Sequence, residues 1–286
     1  MRAFLATIAL AAAVTPAFAI DFNIGKIIDY GKKAVDANKD YTEEQEIALG
    51  EGILAGFLGA APLSQDANLQ RYVNRVGRWL ALHSDRPDLP WTFAVIETDT
   101  INAFAFPGGN VVVSSGLLQR LGSESELAGV LAHEIAHVVK KHQLAAIKSG
   151  GLADLGTSIA QDAASDRIGR SGGGAAVQQV KSWGANAGLD LVKKGVFLRP
   201  LDRGLEYDAD RLAIVIATRS GYDPYGLVGA LQMLAQYRGE TNEASLLSTH
   251  PAPADRLAEL EKFVPTIEKY SKQPQLLEAR YKQMVR

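Results

Sequence analysis

The sequence predicts an α+β fold, mostly α-helical, with one small β-sheet set directly beside a central apolar helix. Three observations carry this. Apolar residues recur at three- and four-residue spacing in several segments, 66–80 and 205–220 most clearly, so helices dominate. Strand-like composition is concentrated in 91–114, where β-branched and aromatic runs flank the turn Pro107-Gly108-Gly109-Asn110. After it comes Leu127 to Val139, a run that is apolar except at three positions.

The chain of 286 residues, 47% hydrophobic and 22% charged, can bury a full core. A net charge of −2 gives no basic footprint, so nucleic acid is not an expected partner. Cysteine is absent, which excludes disulfides, a thiol nucleophile and thiolate-held metal. Any metal must sit on nitrogen and oxygen.

Taken in order, Met1-Arg2 is a short basic start, Phe4 to Val14 is apolar, and Ala17-Phe18-Ala19 has the small-x-small form of a cleavage site. Residues 1–19 are therefore expected to be a signal peptide. The apolar run falls short of the roughly 20 residues of a membrane span, and an uncleaved anchor is the alternative. The expected location is exported and periplasmic. Residues 20–40 form a weakly amphipathic, Lys-rich segment, and a main domain is expected over 41–270. Thr42-Glu43-Glu44-Gln45 marks a helix start. The Gly-rich end of that helix, Ile53 to Ala61, reads as a buried helix end in preference to a membrane contact.

Asp66 opens a helix whose stripe of Leu69, Tyr72, Val73, Val76, Trp79 and Leu80 reads as core. Pro87 and Pro90 end it. Strands are expected at Trp91–Ile96, Ile101–Phe106 and Val111–Ser114. Ser123-Glu124-Ser125-Glu126 then gives a capping-box start to the apolar helix. Glycines crowd residues 150–204, which read equally as a mobile lid or a linker. Leu205 to Ser220 is a patterned helix closed by Gly221, and Tyr225 to Gly239 a core helix. A polar loop leads to His250-Pro251, a last helix carries Leu257, Leu260 and Phe263, and 271–286 is set apart as a polar C-terminal tail, helical in part.

The chemistry converges on His133-Glu134-Ile135-Ala136-His137. Four residues apart on a helix, His133 and His137 share one face and can hold one metal ion, with Glu134 beside it as general base. Two His and a Glu on an exposed helix would be unremarkable, but apolar flanks enclose these, and buried polar groups need partners. A catalytic zinc takes three protein ligands and leaves one position for water. Glu206 is the candidate third ligand, in the first turn of a helix whose other face is apolar. Asp210, one turn on, is placed to orient a metal-bound His. The competing reading is a solvated, acidic helix start.

At this point the sequence resembles the exported members of the HtpX/BepA family of zinc metallopeptidases, gluzincins that also include the CAAX prenyl protease and a mitochondrial inner-membrane protease. The resemblance rests on His133-Glu134-x-x-His137, on Glu206-x-x-x-Asp210, on Asn102-Ala103-Phe104-Ala105-Phe106-Pro107-Gly108-Gly109, and on His250-Pro251 with Arg256, in that family's arrangement and over about Tyr41 to Phe263. It implies a zincin-like metalloprotease core, one Zn2+ per chain on His133, His137 and Glu206, and endopeptidase action on unfolded or misassembled proteins. It also implies that His250 can act as a removable fourth ligand; a transition-state contact, or a helix-start His that binds substrate or orients a ligand, stays open beside it. An oxyanion stabiliser is also wanted, and Arg256 and Tyr207 are the candidates. Asn102, Ala103, Phe104 and Ala105 would offer an edge strand to substrate, or be a purely structural hairpin. The sequence has no Cys to lipidate, and it is expected to depart from relatives that carry transmembrane helices or a C-terminal repeat domain. Contact with the membrane or outer-membrane assembly machinery therefore does not carry over directly. A chaperone or assembly factor with latent proteolysis is the alternative function, and a non-peptidase zinc hydrolase a weaker one.

Overall fold

A computed structural model describes residues 41–59, 61–150, 201–237, 250–270 and 277–285. The expected signal peptide, the 20–40 segment, the loop before His250 and most of the Gly-rich stretch lie outside the described residues. In chain order, α1 (Glu43–Leu58) and α2 (Ala67–Ala81) precede β1 (Thr92–Ile96), β2 (Ala103–Phe106) and β3 (Asn110–Ser114). A short α3 (Ser115–Leu118) leads into α4 (Glu124–Val139) and α5 (His142–Gly150). Then come α6 (Arg203–Arg219), α7 (Gly226–Gln236), α8 (Pro253–Glu261), α9 (Val264–Tyr270) and α10 (Glu278–Val285). The expected α+β class, mostly helical with one small sheet, is what forms.

The apolar run becomes α4, which is buried from Leu127 through Val138, as a helix apolar on every side must be. It is flanked by α2, α6, α7 and the sheet. Ser123 caps it by accepting the Glu126 N–H at 3.1 Å. The Glu126 carboxylate reaches back to the Gly122 N–H at 2.7 Å, so the capping box is displaced by one residue. Gly129 and Gly226 mark where α4 and α7 meet backbone to backbone. A Cβ on Gly129 would lie 2.4 Å from the Leu227 nitrogen, and one on Gly226 would lie 2.0 Å from the Ser125 oxygen.

The sheet is mixed, in the order β1-β3-β2, with β1 parallel and β2 antiparallel to β3. Alternation divides its residues between two faces. Ala103, Ala105, Val111 and Val113 join the main core, which includes Leu127, Leu131 and Ile135 of α4. Phe106 and Val112 face a second cluster with Ile53, Leu54 and Phe57 of α1 and Ile147 of α5, so the Gly-rich end of α1 is buried. The outer edge of β1 is covered: Ser64 donates to Val95 O at 2.9 Å, and Gln70 bonds both Val95 N and Val95 O. β2 occupies the other edge.

Two sequence expectations need correction. Trp79 is not core: it is 50% exposed, its indole N–H donating to Ser220 O at 2.9 Å. Helical spacing reports a face, not whether a neighbour reaches the margin of that face. Nor is the end of the chain merely a tail. Tyr281 of α10 is fully buried and donates to Leu118 O at 2.5 Å. Arg280 binds the carboxylate of Glu124, the buried first residue of α4, which also accepts from Tyr72 and Tyr222 at 2.8 Å each. The Arg280-Tyr281 pair, with Met284 and Val285 packed against the core, anchors this helix. Among the described residues no helix is long and apolar enough to cross a membrane.

Candidate metal centre

Two helices build the site. On α4 the pairing at i and i+4 brings the Nε2 atoms of His133 and His137 to 3.0 Å from each other, too close for two like ring nitrogens unless they share a proton or a cation. On α6, capped by Asp202 through Gly204 N–H at 2.8 Å, Glu206 and Asp210 lie one turn apart on the buried face. The faces that α4 and α6 bury carry alanines, Ala128, Ala132 and Ala136 on one and Ala209, Ala213 and Ala217 on the other. Small side chains of this kind let the two helices approach closely.

The Glu206 carboxylate sits 3.5 Å from each ring, Oε2 to His133 Nε2 and Oε1 to His137 Nε2. His250 enters from the residues before α8, its Nδ1 2.6 Å from Glu206 Oε2. One donor atom from each of His133, His137, Glu206 and His250 falls within a common 4.8 Å limit. Tetrahedral ligands on bonds of about 2.0–2.2 Å are spaced by roughly 3.3–3.5 Å, so this donor set fits a metal ion. A second observation agrees. Glu206 Oε1 and Glu134 Oε1 are buried with no hydrogen-bond partner among the described residues, a costly arrangement unless a cation and a water complete it.

The outer groups decide which ring nitrogens are free. Asp210 Oδ1 lies 2.9 Å from His133 Nδ1 and accepts its N–H, which leaves Nε2 as the nitrogen that could face a metal. Arg256 clamps the other side of Asp210, with Nε at 2.9 Å from Oδ2 and Nη2 at 2.5 Å from Oδ1. Arg256 Nη2 also comes within 3.2 Å of His133 Nδ1, but two N–H groups cannot bond each other, so Asp210 is the bridge between them. The guanidinium is thus committed to Asp210. Tyr207, half-buried, follows Glu206 in the chain.

Burial and charge divide the protonation states. Burial pushes the Glu134 carboxyl above its ordinary range. Burial, then the neighbouring His133, pushes His137 well below the usual imidazole value and keeps it neutral. Burial and Arg256 act downward on His133, but the Asp210 and Glu206 carboxylates more than reverse this and lift it to about 9. For Glu206 burial acts upward, yet His250 and His133 hold it far below the carboxylate range. Asp210 is likewise held low, against burial, by Arg256.

The comparison with known proteins agrees with this geometry: residues 67–264 match peptidase family M48. The chain belongs to that family. Among its relatives, the beta-barrel assembly-enhancing protease of Escherichia coli K12 is 35% identical over 222 residues, covering 75% of this chain and 43% of that protein. The mitochondrial metalloendopeptidase OMA1 of Schizosaccharomyces pombe is 31% identical over 195 residues, 68% of this chain and 52% of its own. The metalloprotease YcaL of E. coli K12 is 30% identical over 176 residues, 62% of this chain and 63% of its own. The chain spans less than half the length of the assembly-enhancing proteases it matches. As an M48 member it has a His/Glu group that can hold a metal.

His142 was missing from the sequence reading. It is buried, with Nδ1 2.9 Å from His137 Nδ1. Five residues after His137, it is off the shared helical face, and only the Lys140-Lys141 doublet ending the apolar run hinted at a turn there.

Proposed function

We propose that this M48 member is a zinc-dependent endopeptidase of the cell envelope that degrades unfolded or misassembled proteins. The observation that carries the reading is the convergence of His133, His137 and Glu206 on one point beside Glu134, whose carboxyl is buried and partly unpartnered. When bound, zinc supplies an electrophile that polarises the scissile carbonyl and makes an attacking water more acidic. Glu134 is the general base. Its raised pKa lets it take the proton as the water oxygen bonds the carbonyl carbon, then return it to the amine nitrogen as the C–N bond breaks. Asp210, held by Arg256, keeps His133 in the tautomer that presents Nε2.

Substrate is expected to lie along β2. That strand is at the sheet edge and contributes to the packing against α4, whereas the opposite edge is covered; Asn102 is tied to Ser114 through both main-chain groups and its Oδ1 accepts the Ala103 N–H, so the main-chain bonds to an extended chain fall to the Ala103 carbonyl and Ala105. Main-chain recognition selects for unfolded substrates over particular sequences. The apolar start at Phe4–Val14 and Ala17-Phe18-Ala19 supports an exported, periplasmic location.

His250 completes a four-donor set, and a fourth protein ligand leaves no position for water. This favours the latch over the transition-state contact. A His250→Ala variant with raised activity supports the latch; one with lost activity overturns it. The second reading, an assembly factor with latent proteolysis, draws on the name of the E. coli relative, which speaks of assembly. Glu134→Gln separates the two. It should leave zinc content and fold unchanged and lower casein hydrolysis by about 10²–10⁴-fold. Undiminished cleavage of unfolded casein by that variant would overturn the peptidase mechanism, and wild-type protein that carries no zinc would overturn the metal assignment.

A further inference from the structure

The turn that follows α4 has an unusual backbone with a specific result. α4 ends at Val139, Lys140 caps it, and Lys141 adopts φ 58°, the left-handed region that residues other than glycine rarely enter. A buried network surrounds this turn. Lys141 Nζ lies 3.2 Å from Glu46 Oε2, and Arg86 donates to both Glu46 oxygens at 2.8 and 3.1 Å. Arg86 Nη1 also reaches Val138 O at 3.4 Å. The reversal at Lys141 carries His142 back over His137, with ring centroids 5.0 Å apart at 73° and the two Nδ1 atoms 2.9 Å apart.

Only one of the two nitrogens in such a contact can carry the proton. If His142 Nδ1 donates, His137 must hold its proton on Nε2 and cannot bind a metal there. If His137 Nδ1 donates, Nε2 is free and aimed at His133 Nε2 and Glu206 Oε1. We propose that His142 is a positioning residue of the metal site: its unprotonated Nδ1 accepts the His137 Nδ1–H, fixing the tautomer and ring angle that present Nε2. This rests on the zinc reading above. The two metal-facing rings are thus oriented differently. His133 is held by a carboxylate whose charge Arg256 offsets, His137 by a neutral imidazole that adds no charge to the cage.

The test is the zinc affinity of the full chain, by competition with a chromophoric chelator, for wild type, His142→Phe, His142→Leu and His142→Gln. Urea unfolding of each in chelator checks that the fold survives. Phe and Leu cannot accept the bond and should bind zinc 10–100-fold more weakly, the usual loss when an orienting partner is removed. Gln can accept through its carboxamide oxygen and should restore most of the affinity. If Phe fails to fold, Leu carries the comparison. The proposal falls if folded Phe or Leu variants bind zinc like wild type, or if Gln loses as much as they do, which would make the role one of packing. Wild type with no zinc affinity would sink the metal reading itself, together with this one.

Discussion

Removing the Arg256 guanidinium tests the frame of the site most directly. Asp210 is buried and accepts from Arg256 twice and from His133 once. In Arg256→Met the carboxylate keeps only the His133 bond, in a place where water does not reach. Breaking a buried pair by deleting one partner costs about 3–5 kcal/mol. At about 2–4 °C per kcal/mol for a domain of this size, Tm should fall by roughly 6–20 °C. Urea unfolding of wild type, Arg256→Met, Asp210→Asn and the double variant at pH 7 gives the comparison. The double variant should recover at least half of the single loss, because no charge is left alone. The pH dependence has a definite sign. Asp210 is held below its ordinary 3.8, so its contribution is present above that pH and disappears as pH falls through the depressed value. The gap between wild type and Arg256→Met should therefore narrow in acid. A loss under about 1 kcal/mol, with strictly additive singles, would refute the claim that the pair supports His133.

Three further outcomes follow from the same structure. Chelation should abolish hydrolysis and lower stability, by about 2.7 kcal/mol if zinc had been present at 100 times its Kd, read as a concentration-dependent Tm. Glu46→Gln should cost about 1.5–3 kcal/mol near neutrality, because Arg86 and Lys141 lose a buried anion. Arg86, acting against burial, holds Glu46 below 4.5, so this loss should fade as pH drops through the depressed value; a gap that persists in acid would count against the pair. Gly129→Ala should destabilise by about 1–3 kcal/mol or more, since the new methyl meets the Leu227 backbone and not a movable side chain; an unchanged urea midpoint would show that α7 yields.

What the sequence disclosed and what it withheld have physical reasons. The three strands, the central helix and the pairing of Glu206 with Asp210 follow from short-range rules: alternation, 3.6-residue periodicity and capping chemistry. His133 and His137 were legible because one helix presents both. His142 was not, because its placement depends on a left-handed Lys141 that no propensity favours and that Glu46, far away in sequence, helps to hold. The docking of α10 was hidden for a similar reason. Its anchor, Arg280 on Glu124, joins residues 156 positions apart, and neither looks unusual locally. Arg256 was visible as a member of the site, but only the folded helices show that its guanidinium binds Asp210.

Charge balance links these parts. Glu134, Glu206 and Asp210 are all buried, and the only buried guanidinium among the described residues is Arg256. Without a metal the raised pKa of His133 offsets part of this; once His133 is neutral, as a ligand must be, three carboxylates against one cation leave two negative charges in a region where an unpaired charge costs several kcal/mol. A divalent ion among His133, His137 and Glu206 cancels both. The neutral His142 then has a purpose that a carboxylate could not serve, since another anion would upset the balance that Arg256 already sets for Asp210. The balance also survives the proposed reaction. When Glu134 takes a proton from water, its negative charge passes to the attacking oxygen, and the buried total does not change. A site built this way has no need to import a counter-charge during the step. It needs only a base that holds a proton more readily than an ordinary carboxylate, and the burial of Glu134, partly offset by the cationic groups around it, raises its pKa in that direction.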